Sequence, residues 1–266
     1  MAFKGLVVLL TGASMGIGES IANKLAEEGA SLVLLSRSED KLAQLTKRLQ
    51  GINSSGKVIY RAVDIGDYAS VDSAVASAIE DMGALDILIN NAGLALGAPA
   101  RFPDLKISDV STMNNTNING MMFVTHSVLN RSMMPHKAGT ILNITSITGL
   151  EVPPFPGEAV YHANKACQEA FSNSLRNELS ETNIRVLVLR PGCVATNFHS
   201  LRVGHVKEKY DKFFEGFKPL EAENIATSAV YMLQQPMNVS IKAMDVVPSA
   251  QRSIVVFDRT WSKRNA

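Results

Sequence analysis

The stretch Leu6-Val7-Val8-Leu9-Leu10-Thr11-Gly12-Ala13-Ser14-Met15-Gly16-Ile17-Gly18 decides the fold. It opens with an unbroken apolar run, as expected of a strand covered on both faces. Glycines at GxxxGxG spacing follow. Beyond them, Ile17, Ile21, Ala22, Leu25 and Ala26 recur on one face of a helix that Gly29 ends. Strand, glycine turn and helix make a corner where backbone N–H groups and the helix dipole converge, a place that suits a pyrophosphate. The spacing differs from the GxGxxG of the commonest dinucleotide fingerprint. A plain structural corner would accept the same glycines.

The alternation continues outward from this corner. Residues 31–35, 58–63, 86–89, 140–145, 184–189 and 243–247 read as strands. Residues 39–50, 68–81, 161–179 and 222–233 read as helices, and two further helices fill 106–134, with Pro135 ending the second. Strands that are nearly continuous in apolar residues, alternating with amphipathic helices, predict an α/β protein. Its core is a Rossmann-type doubly wound parallel sheet with helices on both faces. No repeat or linker divides the chain, so 1–266 is expected to be a single domain.

Composition narrows the function classes. The chain has 266 residues, 46% hydrophobic and 19% charged, with a net charge of +1. That balance gives no nucleic-acid footprint, and the basic run Trp261-Ser262-Lys263-Arg264 reads as a solvated end. Cys167 and Cys193 form neither a ligand pattern nor a disulfide framework, so no metal is expected. No apolar stretch has the length of a membrane span, and the first apolar run is too short for a signal peptide. A cytoplasmic location is the expectation.

The end of the second strand reads Leu35-Ser36-Arg37-Ser38. A carboxylate there would hold a ribose 2′-hydroxyl and repel a 2′-phosphate. A guanidinium between two hydroxyls suits the phosphate instead, which favours NADP(H) over NAD(H). The plainer alternative for Arg37 is a surface charge.

Tyr161-His162-Ala163-Asn164-Lys165 opens the long helix. Residues four apart share a helical face, so a phenol and an ammonium can point into one pocket. A free tyrosine titrates near ~10, and a nearby cation lowers that value toward the range of a useful acid–base group. Upstream, Asn143-Ile144-Thr145-Ser146-Ile147-Thr148-Gly149 places hydroxyls at the carboxyl edge of the sheet, where ligands of open α/β folds bind. His162 reads as a packing or surface residue rather than a competing base.

With these residues in place, the chain resembles the short-chain dehydrogenase/reductase family in its single-domain form, from Leu6 to about Ser253. The motifs stand in order: TGASMGIG at 11–18, Asp64 in AVDIGD, NNAG at 90–93, Asn117 in NINGMM, NITSITG at 143–149, YHANK at 161–165 and RPGCVAT at 190–196. The resemblance implies Tyr161 as general acid/base, Lys165 as its pKa tuner and ribose ligand, and Ser146 as donor to the substrate oxygen. It implies that Asn117 holds a water in the proton relay and that Asp64 meets the adenine. Gly12, Ser14, Gly16, Ile17 and Gly18 would hold the pyrophosphate, with Ser36 and Arg37 at the adenosine ribose. Asn90, Ala92 and Gly93 would line the cofactor cleft, Asn90 through its backbone, with Asn91 the more structural residue. Pro191, Gly192, Val194 and Thr196 would border the nicotinamide. Asp64 as a turn former and Thr196 as a helix cap are the plain alternatives.

Met15 stands where NADP-preferring members often carry a cation, so Arg37 bears that assignment. Asn164 stands where a serine is common and is expected to matter little. The tail resembles the NADP-dependent 3-hydroxy acid and serine dehydrogenase branch and fungal carbonyl reductases. The expected reaction is reversible hydride transfer between NADP(H) and a carbonyl or secondary alcohol in a small hydroxy acid, amino alcohol or biosynthetic ketone. The alternatives are epimerisation, dehydration or cyclisation on the same fold, and a non-catalytic NADP-binding role. The aromatic segment 198–217 is expected to be a substrate lid, with packed short helices as the alternative. A homodimer or homotetramer built on helices near 106–134 and 158–180 is the assembly the resemblance implies.

Overall fold

Parallel strands carry the chain, each feeding a helix that returns it to the same edge. The structure is a computed structural model, and it describes residues 1–53, 55–153, 156–196, 198 and 214–265. Among the described residues the strands are β1 Val7–Thr11, β2 Ser31–Ser36, β3 Val58–Ala62, β4 Ile87–Asn90, β5 Ala138–Ile144, β6 Asn183–Pro191 and β7 Ala243–Val246. They form one seven-stranded sheet in the order β3-β2-β1-β4-β5-β6-β7. The winding direction reverses between β1 and β4, which pair in register Val8 to Ile87 and Leu10 to Ile89. A crevice opens at the carboxyl ends of the strands at such a reversal.

The two-residue period of a strand sends its side chains to both faces, and both faces are covered. On one, Val8, Leu10, Leu34 and Leu187 pack under helices α1 Gly16–Glu27, α2 Glu39–Ile52 and a late helix at Ala222–Leu233. On the other, Leu9, Val33, Leu88 and Val186 pack under α3 Tyr68–Met82, the helical stretch 107–136 (α4) and α5 Ala159–Glu178. The single-domain, doubly wound reading therefore holds.

The expectation of two helices in 106–134 does not. The segments Ile107–Asn114, Asn115–Gly120, Met121–Val128, Leu129–Met133 and Met134–His136 run on with helical dihedrals through every junction, so α4 is one rod over 107–136. Two of its segments, Asn115–Gly120 and Leu129–Met133, are wide turns of π type, a distortion that often marks functional sites. Gly120 is no breaker: a Cβ there would stand 2.6 Å from Ile65 Cδ1, so glycine serves close packing. Pro135 sits inside the last turn, and the chain leaves the helix at Lys137, with φ at 51°.

Candidate functional site

The glycine corner forms as expected. Gly12 has φ +64°, and a Cβ on it would lie 2.8 Å from Ala92 Cα, so only glycine lets the loop meet the end of β4. Helix α1 starts at Gly16 behind an extended Met15, and no side chain caps its first N–H groups. Gly16 lies against Thr196, whose Cγ2 would be 3.5 Å from an added Cβ. Gly18 does not line the cleft. It packs on the Gly12 carbonyl, which an added Cβ would approach to 2.2 Å.

One cleft of about 660 Å³ runs along the carboxyl ends of the strands. It is lined by Gly12, Ser14, Gly16, Ile17, Ser36, Arg37, Asp64, Ala92, Gly93, Ser146, Tyr161, Lys165, Pro191, Gly192, Val194 and Thr196, so most of the expected residues meet in one place. At its β2 end, Ser36 Oγ donates to Ser14 Oγ at 2.8 Å and accepts from the Ser38 amide at 3.2 Å. Arg37 is exposed there, and Lys41, one turn into α2, lines the same end. Sequence reading missed Lys41, whose four-residue spacing from Arg37 was the available signal. Asp64 Oδ1 accepts from the Gly66 amide at 2.9 Å while the residue lines the cleft, so turn-forming and lining are both realised.

Asn91 is structural, as expected, but it rather than Asn90 lines the cleft. Asn91 lines the cleft and clamps the glycine loop, donating through Nδ2 to the carbonyls of Thr11 and Gly12 at 3.0 and 3.1 Å. Asn90 is not among the lining residues. It is buried beneath them, and its Nδ2 donates to Thr125 Oγ1 and Asn143 Oδ1, both at 2.9 Å. The alternation of a strand put neighbouring asparagines on opposite sides, and a motif match alone does not say which side is which.

At the inner end, Lys165 is 4% exposed and its Nζ lies 5.7 Å from the centroid of the Tyr161 ring. The ammonium donates to Ile144 O at 3.2 Å and to Gln168 Oε1 at 2.9 Å. Burial pushes its pKa down to about 8, partly opposed by the carboxylate of Glu169. Glu169 is itself buried, accepting from Thr145 Oγ1 at 2.6 Å and from Arg190 through both of its oxygens, at 3.0 and 2.9 Å. Ser146 Oγ accepts from the Thr148 amide and donates to Thr148 Oγ1, both at 3.1 Å. Phe198 tilts over Tyr161, with ring centroids 5.4 Å apart. His162 Nδ1 donates to the Thr148 carbonyl, which fits the packing role expected of it.

Asn117 departs from its expected part. It does not line the cleft, and its side chain is spent on the fold. Its Oδ1 accepts from the Leu94 amide at 2.9 Å, and its Nδ2 donates to the Leu94 carbonyl at 2.8 Å and to Asn164 Oδ1 at 3.0 Å. Its carbonyl, the group a relay water would use, accepts from Gln168 Nε2 at 2.6 Å. Asn164, expected to matter little, is 1% exposed and ties α5 to α4 through Asn117 and Asn114.

Of the expected lid, residues 199–213 lie outside the described residues, and with them His199, Tyr210 and Phe213. Phe217 is a packing residue, 4% exposed, with Phe257 at 4.9 Å between ring centroids. The loop around Glu151 is anchored by the Ile254 amide, 2.9 Å from Glu151 Oε2; Pro154 and Phe155 in it lie outside the described residues. No helix among the described residues is long and apolar enough to cross a membrane.

The family model described as short chain dehydrogenase matches residues 6–204. Sulfoacetaldehyde reductase of Chromohalobacter salexigens is 38% identical over 244 residues, spanning 92% of this chain and 94% of that protein. NADP-dependent 3-hydroxy acid dehydrogenase of Schizosaccharomyces pombe is 36% identical over 248 residues, spanning 93% and 94%. Among solved structures, the closed form of serine dehydrogenase complexed with NADP⁺ superposes with a TM-score of 0.85 at 30% identity, covering 93% of this chain and 97% of that one.

Proposed function

The chain belongs to the short-chain dehydrogenase family, and we propose that it is an NADP(H)-dependent oxidoreductase acting on a carbonyl or secondary alcohol. One observation carries the mechanism: a buried Lys165 ammonium faces the Tyr161 ring at the inner end of the glycine-cornered cleft. The nicotinamide, when bound, supplies or accepts the hydride. The chain does the rest. Lys165 stabilises the Tyr161 phenolate and lowers its pKa from ~10. Tyr161 gives a proton to the substrate oxygen in reduction and takes it back in oxidation. Ser146, in reach of Thr148, donates to that oxygen. Asn117 acts from beneath, holding the strand end at Leu94.

The residues fit the dinucleotide. The uncapped start of α1 offers N–H groups and a positive dipole end to the pyrophosphate, and Ile17 packs beneath it. Arg37 and Lys41 flank the β2 end and suit a 2′-phosphate. Asp64 stands at the adenine end, and Pro191, Gly192, Val194 and Thr196 border the nicotinamide end. The NADP in the names of two relatives supports the same preference. The relatives act, by their names, on sulfoacetaldehyde, 3-hydroxy acids and serine, so the substrate proposed is a small hydroxy acid, amino alcohol or the matching ketone or aldehyde. Assembly as a homodimer or homotetramer over α4 and α5 is proposed with it, to be read by light scattering. Met121 and Leu175, both buried within one chain, are not available for that interface.

The test is a panel of small carbonyls with NADPH and alcohols with NADP⁺, followed by absorbance. Stoichiometric change of the cofactor with product, abolished by Tyr161→Phe, is expected. Turnover without net cofactor change would instead favour epimerisation, dehydration or cyclisation on this fold.

A further inference from the structure

The relay implied by resemblance needs a water on the Asn117 carbonyl. The chain has put an amide there. Gln168 is 3% exposed, lies three residues beyond Lys165 on α5, and uses both ends of its side chain. Its Oε1 accepts from Lys165 Nζ at 2.9 Å, and its Nε2 donates to Asn117 O at 2.6 Å. The wide turn Asn115–Gly120 carries that carbonyl. The backbone of Gln168 is pinned as well: its carbonyl accepts from Ser172 Oγ at 2.7 Å, which accepts from Asn143 Nδ2 at 2.8 Å, and Asn143 in turn accepts from Asn90.

We propose that Gln168 is a positioning residue that spans, with one side-chain amide, the gap between the Lys165 ammonium and the Asn117 carbonyl. This rests on the reading of Tyr161 and Lys165 as the acid–base pair. A carboxamide offers one acceptor and two donors and does not titrate. It therefore fixes the ammonium and carries no proton. The Asn117 carbonyl keeps its second lone pair, so the amide shares that acceptor. Charged and titratable groups near Lys165 include Tyr161 and Glu169 on its own helix and Arg190 on β6, which is paired with Glu169, while the buried Glu158 at the start of that helix lines the same cleft. The facing side of α4 brings the amides of Asn114 and Asn117, and β4 leads to Gly93, whose added Cβ would lie 3.8 Å from Lys165 Nζ.

Two substitutions separate positioning from packing. Gln168→Met keeps the volume and removes both polar ends. Gln168→Ala opens a polar space, bounded by Lys165 Nζ and Asn117 O, that one water fills. Positioning predicts that Met costs about 10- to 100-fold in kcat, while Ala retains at least roughly tenfold more kcat than Met because a water restores the bridge. With the ammonium less well held in the Met variant, the Tyr161 phenolate is less stabilised. The midpoint of the pH profile for alcohol oxidation then moves up, by about one unit. Packing alone predicts the reverse order, since Ala leaves a hole that Met fills, and an unmoved midpoint. That result overturns the proposal. Should Gln168→Met not fold, Gln168→Asn, which withdraws the amide by one methylene, gives the same readout. If Tyr161→Phe keeps wild-type turnover, the acid–base reading fails and this inference falls with it. If Tyr161→Phe is inactive while Gln168→Met behaves as wild type, only the inference about Gln168 fails.

Discussion

Lys165→Met is expected to make the stability of the protein depend on pH in a different way, and the structure sets the size. Burial lowers the Lys165 pKa from 10.5 to about 8 in the folded chain. Below pH 8 both folded and unfolded chains hold the proton, and the folded state bears the full cost of an enclosed ammonium. Between about 8 and 10.5 the unfolded chain keeps a proton that the folded chain has released, so stability rises with pH across that window. At about 1.4 kcal/mol per pH unit, the interval gives a cost of about 3 kcal/mol at neutral pH. The residue is only 4% exposed, so solvent screening takes little from this figure. Methionine removes the titration but strands Gln168 Oε1 and Ile144 O, a penalty that is the same at every pH. The measurement is therefore a double difference: urea unfolding of wild type and variant without cofactor, at pH 7 and pH 10, followed by circular dichroism. The variant should gain on the wild type by about 2–3 kcal/mol more at pH 7 than at pH 10. An identical wild-type–variant difference at the two pH values would refute the buried, depressed ammonium.

Other outcomes follow from the same geometry. Arg37→Ala and Lys41→Ala should each raise the KM for NADPH, by about 10-fold or more for Arg37, with NADH kinetics nearly unchanged; equal effects on both cofactors would show that neither cation meets a 2′-phosphate. Gly18→Ala should cost about 1–3 kcal/mol or prevent folding, because a methyl cannot stand 2.2 Å from the Gly12 carbonyl; an unchanged melting temperature would contradict the packing. Arg190→Met leaves the Glu169 carboxylate buried with only Thr145 in place and should cost about 2–4 kcal/mol at pH 8. An unchanged unfolding free energy in urea would argue against the buried pair.

The layout of strands and helices was legible because each element has one job. The runs at 6–10, 31–35 and 184–189 are apolar throughout since both faces of those strands are covered, and the period of Ile17, Ile21 and Leu25 answers a single buried face of α1. The errors fall where a residue's role depends on a neighbour far along the chain. The stretch 106–134 reads as two helices and is one, with Gly120 inside it serving as a notch for Ile65, 55 residues earlier. Asn91 carries the structural role expected of it and also lines the cleft, while Asn90 does not, because which asparagine faces the cleft depends on the start of the strand. Lys41 was passed over because an exposed lysine on an amphipathic helix is ordinary until Arg37 is placed beside it.

The buried polar residues of α5 show why part of the site escaped the sequence. Gln168, Glu169 and Ser172 interrupt the apolar face of a helix that is otherwise packed on the sheet. By polarity alone they read as solvent-facing. Each is instead satisfied inside: Gln168 by Lys165 and Asn117, Glu169 by Thr145 and Arg190, Ser172 by Asn143 and its own helix. An ammonium enclosed this far needs acceptors that packing alone does not supply, and a buried polar group without partners costs about 1–3 kcal/mol. The fold meets that need with a connected layer beneath the cleft, built from β4, β5, α4 and α5, rather than with one strong bond. Asn117 belongs to this layer through its side chain and its carbonyl, and a relay drawn from four residues leaves out whatever holds them. Tyr161 and Lys165 could be found by spacing. What keeps Lys165 charged and in place is spread over residues whose only signal is polarity on the wrong face of a helix.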